Sequence, residues 1–174
     1  MSTKNQNSIF IIEDNKVLSL ALKADIEASF KKKPLHIQTF ETGEACMKNF
    51  IKENPPIVIL DYHLNSVNPK AANGIKVLDW IKKEHPGTHV IMLTSDDHLD
   101  VAVKSFQHGA TDYVVKTETQ FKKIYYSLSN IFKMMEAKKD AKKYKMITTG
   151  VFMYFVMMVI ALIVGQRFYP GLFR

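Results

Sequence analysis

Five short apolar runs punctuate residues 8–115, and between them apolar residues recur at helical spacing. Ser8–Glu13 is the first run; Leu18, Leu22, Ile26 and Phe30 follow it on one helix face. Leu35–Thr39 is the second, ahead of a helical pattern over Gly43–Ile51. Pro56–Leu60 precedes a helix over Gly74–Glu84, in which Ile75, Leu78 and Ile81 share a face. His89–Leu93 precedes one over Val101–Gln107, closed by Gly109, and Asp112–Val115 precedes a fifth that starts near Thr119. These runs do not alternate apolar with polar residues, so both faces of each strand are covered, and strands alternating with helices pair in parallel. The pattern predicts an α/β domain over residues 7–130: a (βα)5 doubly wound parallel sheet.

Ligands of such sheets bind beyond the carboxyl ends of the strands. The residues at those ends are Glu13 and Asp14, then Asp61, then Thr94 and Ser95, then Lys116. Singly, each has an ordinary role: an Asp after a strand forms turns or caps a helix, Thr94 and Ser95 cap the next helix, and Lys116 is a solvated lysine. Together they form a chemical set. Clustered carboxylates repel one another and demand a cation, and all-oxygen ligands suit Mg2+. A carboxylate placed there attacks phosphorus to give an acyl phosphate, with the metal and a lysine stabilising the transferring oxygens.

On these residues the chain resembles the receiver domain of bacterial two-component response regulators, in particular the single-domain chemotaxis type, over roughly residues 7–130. The resemblance rests on Glu13 and Asp14 in IIEDN, Asp61 in IVILDYHL, Thr94 in VIMLTS, Lys116 in DYVVK, and the passage SFQHGATDYVVK. It implies a flavodoxin-like receiver fold with Asp61 as phosphoacceptor. Mg2+ would be held by Glu13, Asp14, Asp61 and the main-chain carbonyl of His63, and Thr94 and Lys116 would contact the phosphoryl group. Tyr113 falls at the aromatic switch position, moving inward as Thr94 moves toward the phosphate. The implied phosphodonor is a sensor histidine kinase or a phosphotransfer protein, and the implied role is signalling rather than enzymatic. Three positions depart from the family pattern. Thr117 stands where a cis proline is usual, the loop from Asp61 to Gly74 is several residues longer, and Glu13 replaces the commoner aspartate.

Charge and cysteine content narrow the alternatives. Of the net +7, +4 lies in residues 131–145 and +2 beyond them, leaving the body at +1. No arginine precedes Arg167, so base-specific reading of nucleic acid by the body is not expected. A single cysteine, Cys46, excludes an intramolecular disulfide framework and a cysteine-based zinc site. His36, His63, His85, His89, His98 and His108 have no ligand spacing. A phosphatase of the haloacid dehalogenase type needs a second aspartate two residues after the nucleophile, and that position is His63.

Residues 146–165, MITTGVFMYFVMMVIALIVG, carry no charge. At ~1.5 Å per residue they measure about 30 Å, the thickness of a bilayer hydrocarbon core. Lys138, Lys139, Lys142, Lys143 and Lys145 lie before the run, and only Arg167 and Arg174 after it. The positive-inside rule then keeps the body in the cytoplasm and sends a short tail, 166–174, across, with Phe168 and Tyr169 as interfacial anchors. The lysines of the juxtamembrane stretch 131–145 are a topology signal or a contact for anionic lipid. No DNA-binding or catalytic output domain is expected to follow. Ile131, Phe132 and Met135 either prolong the fifth helix or form the seam of a homodimer. The expected protein is a membrane-anchored receiver, single-pass in the inner (cytoplasmic) membrane, that signals by contact with a membrane partner. The alternative is an unphosphorylated receiver-fold scaffold subunit of a membrane complex.

Overall fold

The computed structural model of the chain describes residues 7–64, 69–95 and 99–168, with side chains as far as residue 161 and at 163. It divides into two compact units, Met1–Ser129 and Asn130–Arg174. In the first, strands β1 (Ser8–Ile12), β2 (His36–Phe40), β3 (Ile57–Asp61), β4 (His89–Thr94) and β5 (Asp112–Val115) alternate with helices α1 (Lys16–Ser29), α2 (Gly43–Glu53), α3 (Gly74–Glu84) and α4 (Leu99–Gln107). A last helix, α5, runs Gln120–Phe168. The five strands form one parallel sheet in the order β2-β1-β3-β4-β5. The expected (βα)5 doubly wound architecture is the one observed.

Burial explains the composition of the strands. Every residue of β1 and β3, and all of β4 after His89, is buried, which is why these runs do not alternate. β2 and β5 are the edges and are only partly covered. On one face, Phe10, Ile12, Val58, Leu60, Val90 and Met92 pack with Cys46 and Phe50 of α2 and Val77, Leu78 and Ile81 of α3. Side chains alternate along a strand, so Ile9, Ile11, Ile57, Ile59 and Ile91 serve the other face. Burial pushes the Cys46 thiol up to about 12, so this cysteine is a small apolar core residue.

Local signals set the helix ends. Asn15, Thr42 and Asn73 cap α1, α2 and α3, each accepting hydrogen bonds from main-chain N–H groups of the first turn. Asn54 closes α2 in the left-handed region, at φ 45°. Gly109, read from the sequence as a cap, has φ 93° just past α4. Among the described residues no peptide bond is cis, so Lys116–Thr117 is trans.

The structure places some ends differently from the sequence reading. β1 stops at Ile12, one residue earlier, and β2 is displaced by one. Asp61 and Thr94 are the last residues of their strands instead of lying beyond them. The ladder accounts for the last two. Asp61 pairs with Leu93 and Thr94 with Val115, so main-chain pairing carries on past the final apolar side chain.

In the second unit, α5 presents apolar side chains in all directions. Val151, Phe152, Met153, Tyr154 and Phe155 are consecutive, and each is more than half exposed. Five successive residues go more than once around a helix, so this segment has no buried stripe. Residues Tyr169–Arg174, including Tyr169, lie outside the described residues, as does the Phe168 side chain.

Candidate functional site

The order of the strands makes the site. In β2-β1-β3-β4-β5 the chain leaves β1 toward one edge and then returns to add β3 on its other side. Helices on either side of that reversal diverge and leave a crevice at the carboxyl ends of β1 and β3. Ile12 pairs with Leu60, so the next residues, Glu13 and Asp61, emerge side by side. Asp14 follows Glu13, and ligand oxygens of Glu13, Asp14 and Asp61 all lie within 4.8 Å of one another. Glu13 and Asp61 are each only 1% exposed, whereas Asp14 is half-buried.

Lys116 reaches this cluster from the residue after β5. Its ammonium lies 2.8 Å from Glu13 Oε2 and 2.9 Å from Asp61 Oδ2. The Lys116 N–H donates to the Thr94 carbonyl at 2.7 Å, which ties the end of β5 to the end of β4 and aims the lysine inward. The second oxygens of Asp61 and Glu13 are also engaged. The His63 N–H donates to Asp61 Oδ1 at 3.2 Å, and the Asn15 N–H donates to Glu13 Oε1 at 3.3 Å.

One ammonium among three carboxylates does not balance the charge. Glu13 records the deficit: burial, and then the Asp61 charge, push its carboxyl up to about 7 despite its bond to Lys116. Burial by itself would lower Lys116, but its hydrogen bond to Glu13 and the charges of Asp61 and Glu13 hold it above the usual lysine value. A buried cluster of hard oxygen donors with excess negative charge fits a divalent cation such as Mg2+. Among the described residues this is the only group of three or more metal-capable side chains. No described histidine side chain belongs to that group: His108 pairs with Asp79, His85 with Thr88, and His36 with Gln38 and Glu53, while His63 meets it through its main chain.

Thr94 is fully buried at the end of β4, next to β5 in the sheet. Tyr113 lies across from Met92 and is half-buried against the core cluster of α2 and α3. The structure therefore gathers Glu13, Asp14, Asp61 and Lys116 at one rim, with His63 joined through its main chain. Thr94 is on the adjoining strand end, and Tyr113 lies three residues back along β5.

Two contributors went unnoticed in the sequence. Asn15 serves both Glu13 and the α1 cap, accepting from Val17 and Leu18 at 3.0 and 3.1 Å. An Asn directly after two acids was the available signal. Gly74 opens α3 directly against the residue that bears the central carboxylate. A Cβ there would stand 2.3 Å from the Asp61 carbonyl oxygen and 2.7 Å from the Tyr62 Cα. No other residue lets α3 approach that turn so closely. Nothing in its immediate neighbours marks this glycine, because the crowding comes from the end of β3, twelve and thirteen residues earlier.

Comparison with known proteins points the same way. The sequence model of the response regulator receiver domain family matches residues 9–125. The DNA-binding transcriptional regulator NtrC of Escherichia coli (strain K12) is 27% identical over 108 residues, covering 62% of this chain and 21% of that protein. The regulatory protein LuxO of Vibrio cholerae is 26% identical over 82 residues, covering 47% of this chain and 17% of that protein. The chain thus spans only a small part of the length of these curated relatives. Among solved structures, a DNA-binding response regulator of the LuxR family from Staphylococcus aureus superposes with a TM-score of 0.61 at 25% identity, over 72% of this chain and 98% of that one. A CheY-like receiver domain protein from Methanospirillum hungatei gives 0.63 at 18% identity, over 76% and 98%, a likeness of fold.

Proposed function

The chain belongs to the response regulator receiver domain family, the phosphoacceptor component of two-component signalling, and from that premise we propose a membrane-anchored receiver phosphorylated on Asp61. The donor is a histidine kinase or a phosphotransfer protein. The observation that carries the assignment of Asp61 is its position at the end of β3. It is buried, 2.9 Å from the Lys116 ammonium, and inside the three-carboxylate cluster.

In this reading a carboxylate oxygen of Asp61 attacks the phosphorus of a phosphohistidine. The new O–P bond forms an acyl phosphate as the N–P bond breaks, and its electron pair returns to the donor imidazole. Lys116 stands beside the reacting carboxylate and offsets the charge on the transferring oxygens. Mg2+, when held by Glu13, Asp14, Asp61 and the His63 carbonyl, supplies Lewis-acid stabilisation of the same oxygens. Thr94 then hydrogen-bonds the phosphoryl group, and Tyr113 moves further into the core beside β4. Signalling follows from that rearrangement through contact with a partner around Tyr113. The chain acts as a phosphoacceptor, not as an enzyme on a separate substrate.

The anchor is the uncharged part of α5, which keeps the receiver on the cytoplasmic side of the inner membrane. Support comes from its exposed surface: each large apolar side chain left in water forfeits about 1.5–3 kcal/mol, and here they surround the helix. The polar groups entering the run are also satisfied within the helix. The Thr148 and Thr149 hydroxyls each donate at 2.9 Å to the carbonyls of Tyr144 and Lys145, as hydrocarbon demands.

The test uses the full chain in lipid nanodiscs, with acetyl phosphate and Mg2+, read by phosphate-affinity gel mobility. A shifted band is expected for the native chain and none for Asp61→Asn. An unshifted native chain would favour the scaffold reading, and a shifted Asp61→Asn would move the acceptor elsewhere. Release of the chain from vesicles by alkaline carbonate would remove the anchor.

A further inference from the structure

The lysines ahead of the uncharged run are not spread evenly around α5. At 3.6 residues per turn, Lys138, Lys142 and Lys145 fall within roughly a 60° sector, one above another. Glu136 and Asp140, the acids of this stretch, lie roughly 150° or more around the helix from the middle of that stripe. All three lysines are exposed. A signal for membrane orientation depends on how many lysines flank a span and is indifferent to the face they occupy. Lys133, Lys139 and Lys143 share the remaining sides with the two acids, so the stripe carries +3 and the rest of the stretch a net +1, and this one-sided excess calls for a partner that meets one side of the helix.

Depth identifies the partner. At ~1.5 Å per residue Lys145 is about 1.5 Å and Lys138 about 12 Å along the axis from the start of the uncharged run, so the stripe lies within roughly one to one and a half Debye lengths of it. Tyr144 is 70% exposed beside Lys145, the kind of amphipathic ring that settles at the head-group level. Cations at that depth, with an aromatic ring at the same level, face lipid phosphates.

We propose that Lys138, Lys142 and Lys145 form a binding surface for the head groups of anionic phospholipids. This rests on the anchor reading of α5. The stripe recruits anionic lipid from a mixed bilayer and fixes the rotational setting of the helix at the membrane surface, because the uncompensated positive charge lies on one side of it.

The experiment reconstitutes the full chain in bilayers of phosphatidylcholine with some phosphatidylglycerol. Electron paramagnetic resonance of spin-labelled lipids then reads how much of each lipid is held at the protein surface. The native chain should prefer phosphatidylglycerol over phosphatidylcholine by at least about fivefold, the factor supplied by one lysine at the surface, and the preference should fall with added salt. Replacing Lys138, Lys142 and Lys145 together by Gln should remove most of it while leaving lipid contact and Asp61 phosphorylation intact. Replacing Lys133, Lys139 and Lys143 by Gln removes as much charge from other sides of the helix and should leave most of the preference. Equal losses in the two variants would mean that net charge acts without a stripe, overturning the proposal. So would equal retention of both lipids by the native chain, which would leave the lysines as an orientation signal only. Competition by inorganic phosphate beyond that of chloride at equal ionic strength would mean a soluble-anion site, again against the proposal. If no lipid of either kind is restrained, the anchor reading itself falls and takes this one with it.

Discussion

Like charges are gathered in two places in this chain, and they are handled in opposite ways. At the carboxyl ends of β1 and β3, Glu13 and Asp61 are nearly inaccessible and share one ammonium with Asp14 close by. Between residues 138 and 145, five lysines stand exposed along a helix. Water screens the second cluster, so its repulsion costs little and its effects are long-range and salt-dependent. The first has lost that screening. Its charges perturb one another, and an incoming cation or phosphoryl group meets them less screened than in water. The number of like charges is comparable in the two places, and burial is what separates a chemical site from a solvated face.

The contrast can be broken most directly at Lys116. Lys116→Ala leaves buried carboxylates without their ammonium, and removing one partner of a buried pair costs about 3–5 kcal/mol. Chemical denaturation of the Mg2+-free chain in detergent should show a loss of that size, with part of it recovered on adding Mg2+. No loss would mean that the rim is wetter than its burial suggests.

Glu13 gives the next largest effect. Its carboxyl is raised from an ordinary 4.5 to about 7 by burial and the Asp61 charge. Between those values the folded chain binds a proton that the unfolded chain has released, so stability falls as pH rises from 4.5 to 7. Without metal the decline should reach a few kcal/mol, and Glu13→Gln should flatten it. Mg2+ competes with that proton, so its affinity should weaken by about tenfold per pH unit below 7. Titration calorimetry at several pH values checks this, and a pH-independent affinity would contradict the shared site.

Gly74→Ala should cost about 1–3 kcal/mol, the range for overpacking, since the new Cβ meets main-chain atoms of Asp61 and Tyr62. It should also weaken Mg2+ binding by displacing the residue that bears the central carboxylate. Smallest of all, Gln in place of Lys138, Lys142 and Lys145 should alter the denaturation midpoint of the receiver by no more than about 0.5 kcal/mol, as surface substitutions do. A larger change would show that the exposed cluster is coupled to the fold, and burial would no longer separate the two clusters.

Much of this was legible without coordinates. The five apolar runs announced buried parallel strands because their side chains meet helices on both faces, and the helical intervals followed from spacing alone. Strand ends were less accurate. A β-ladder continues for as long as main-chain partners exist, so Asp61 and Thr94 belong to β3 and β4 although their side chains are polar. Asn15 and Gly74 escaped notice for related reasons. The first has a second role that depends on where the Glu13 carboxylate turns, and the second is required by the way the loop after β3 folds α3 back against Asp61 and Tyr62.

Periodicity, caps and the chemical types of the strand-end residues are properties of neighbouring positions, so the amino-acid order alone determined the succession of strands and helices, the acids and lysine available for chemistry, and a charge-free stretch long enough to span a bilayer. The order β2-β1-β3-β4-β5 depends instead on pairing between distant segments, and only the folded sheet decided it. That order sets β3 beside β1, brings Glu13 and Asp61 out together, and lets Lys116 reach both. Desolvation is likewise a collective result of packing, and for that reason the raised Glu13 carboxyl and the electrostatic demand for a cation belong to the tertiary structure.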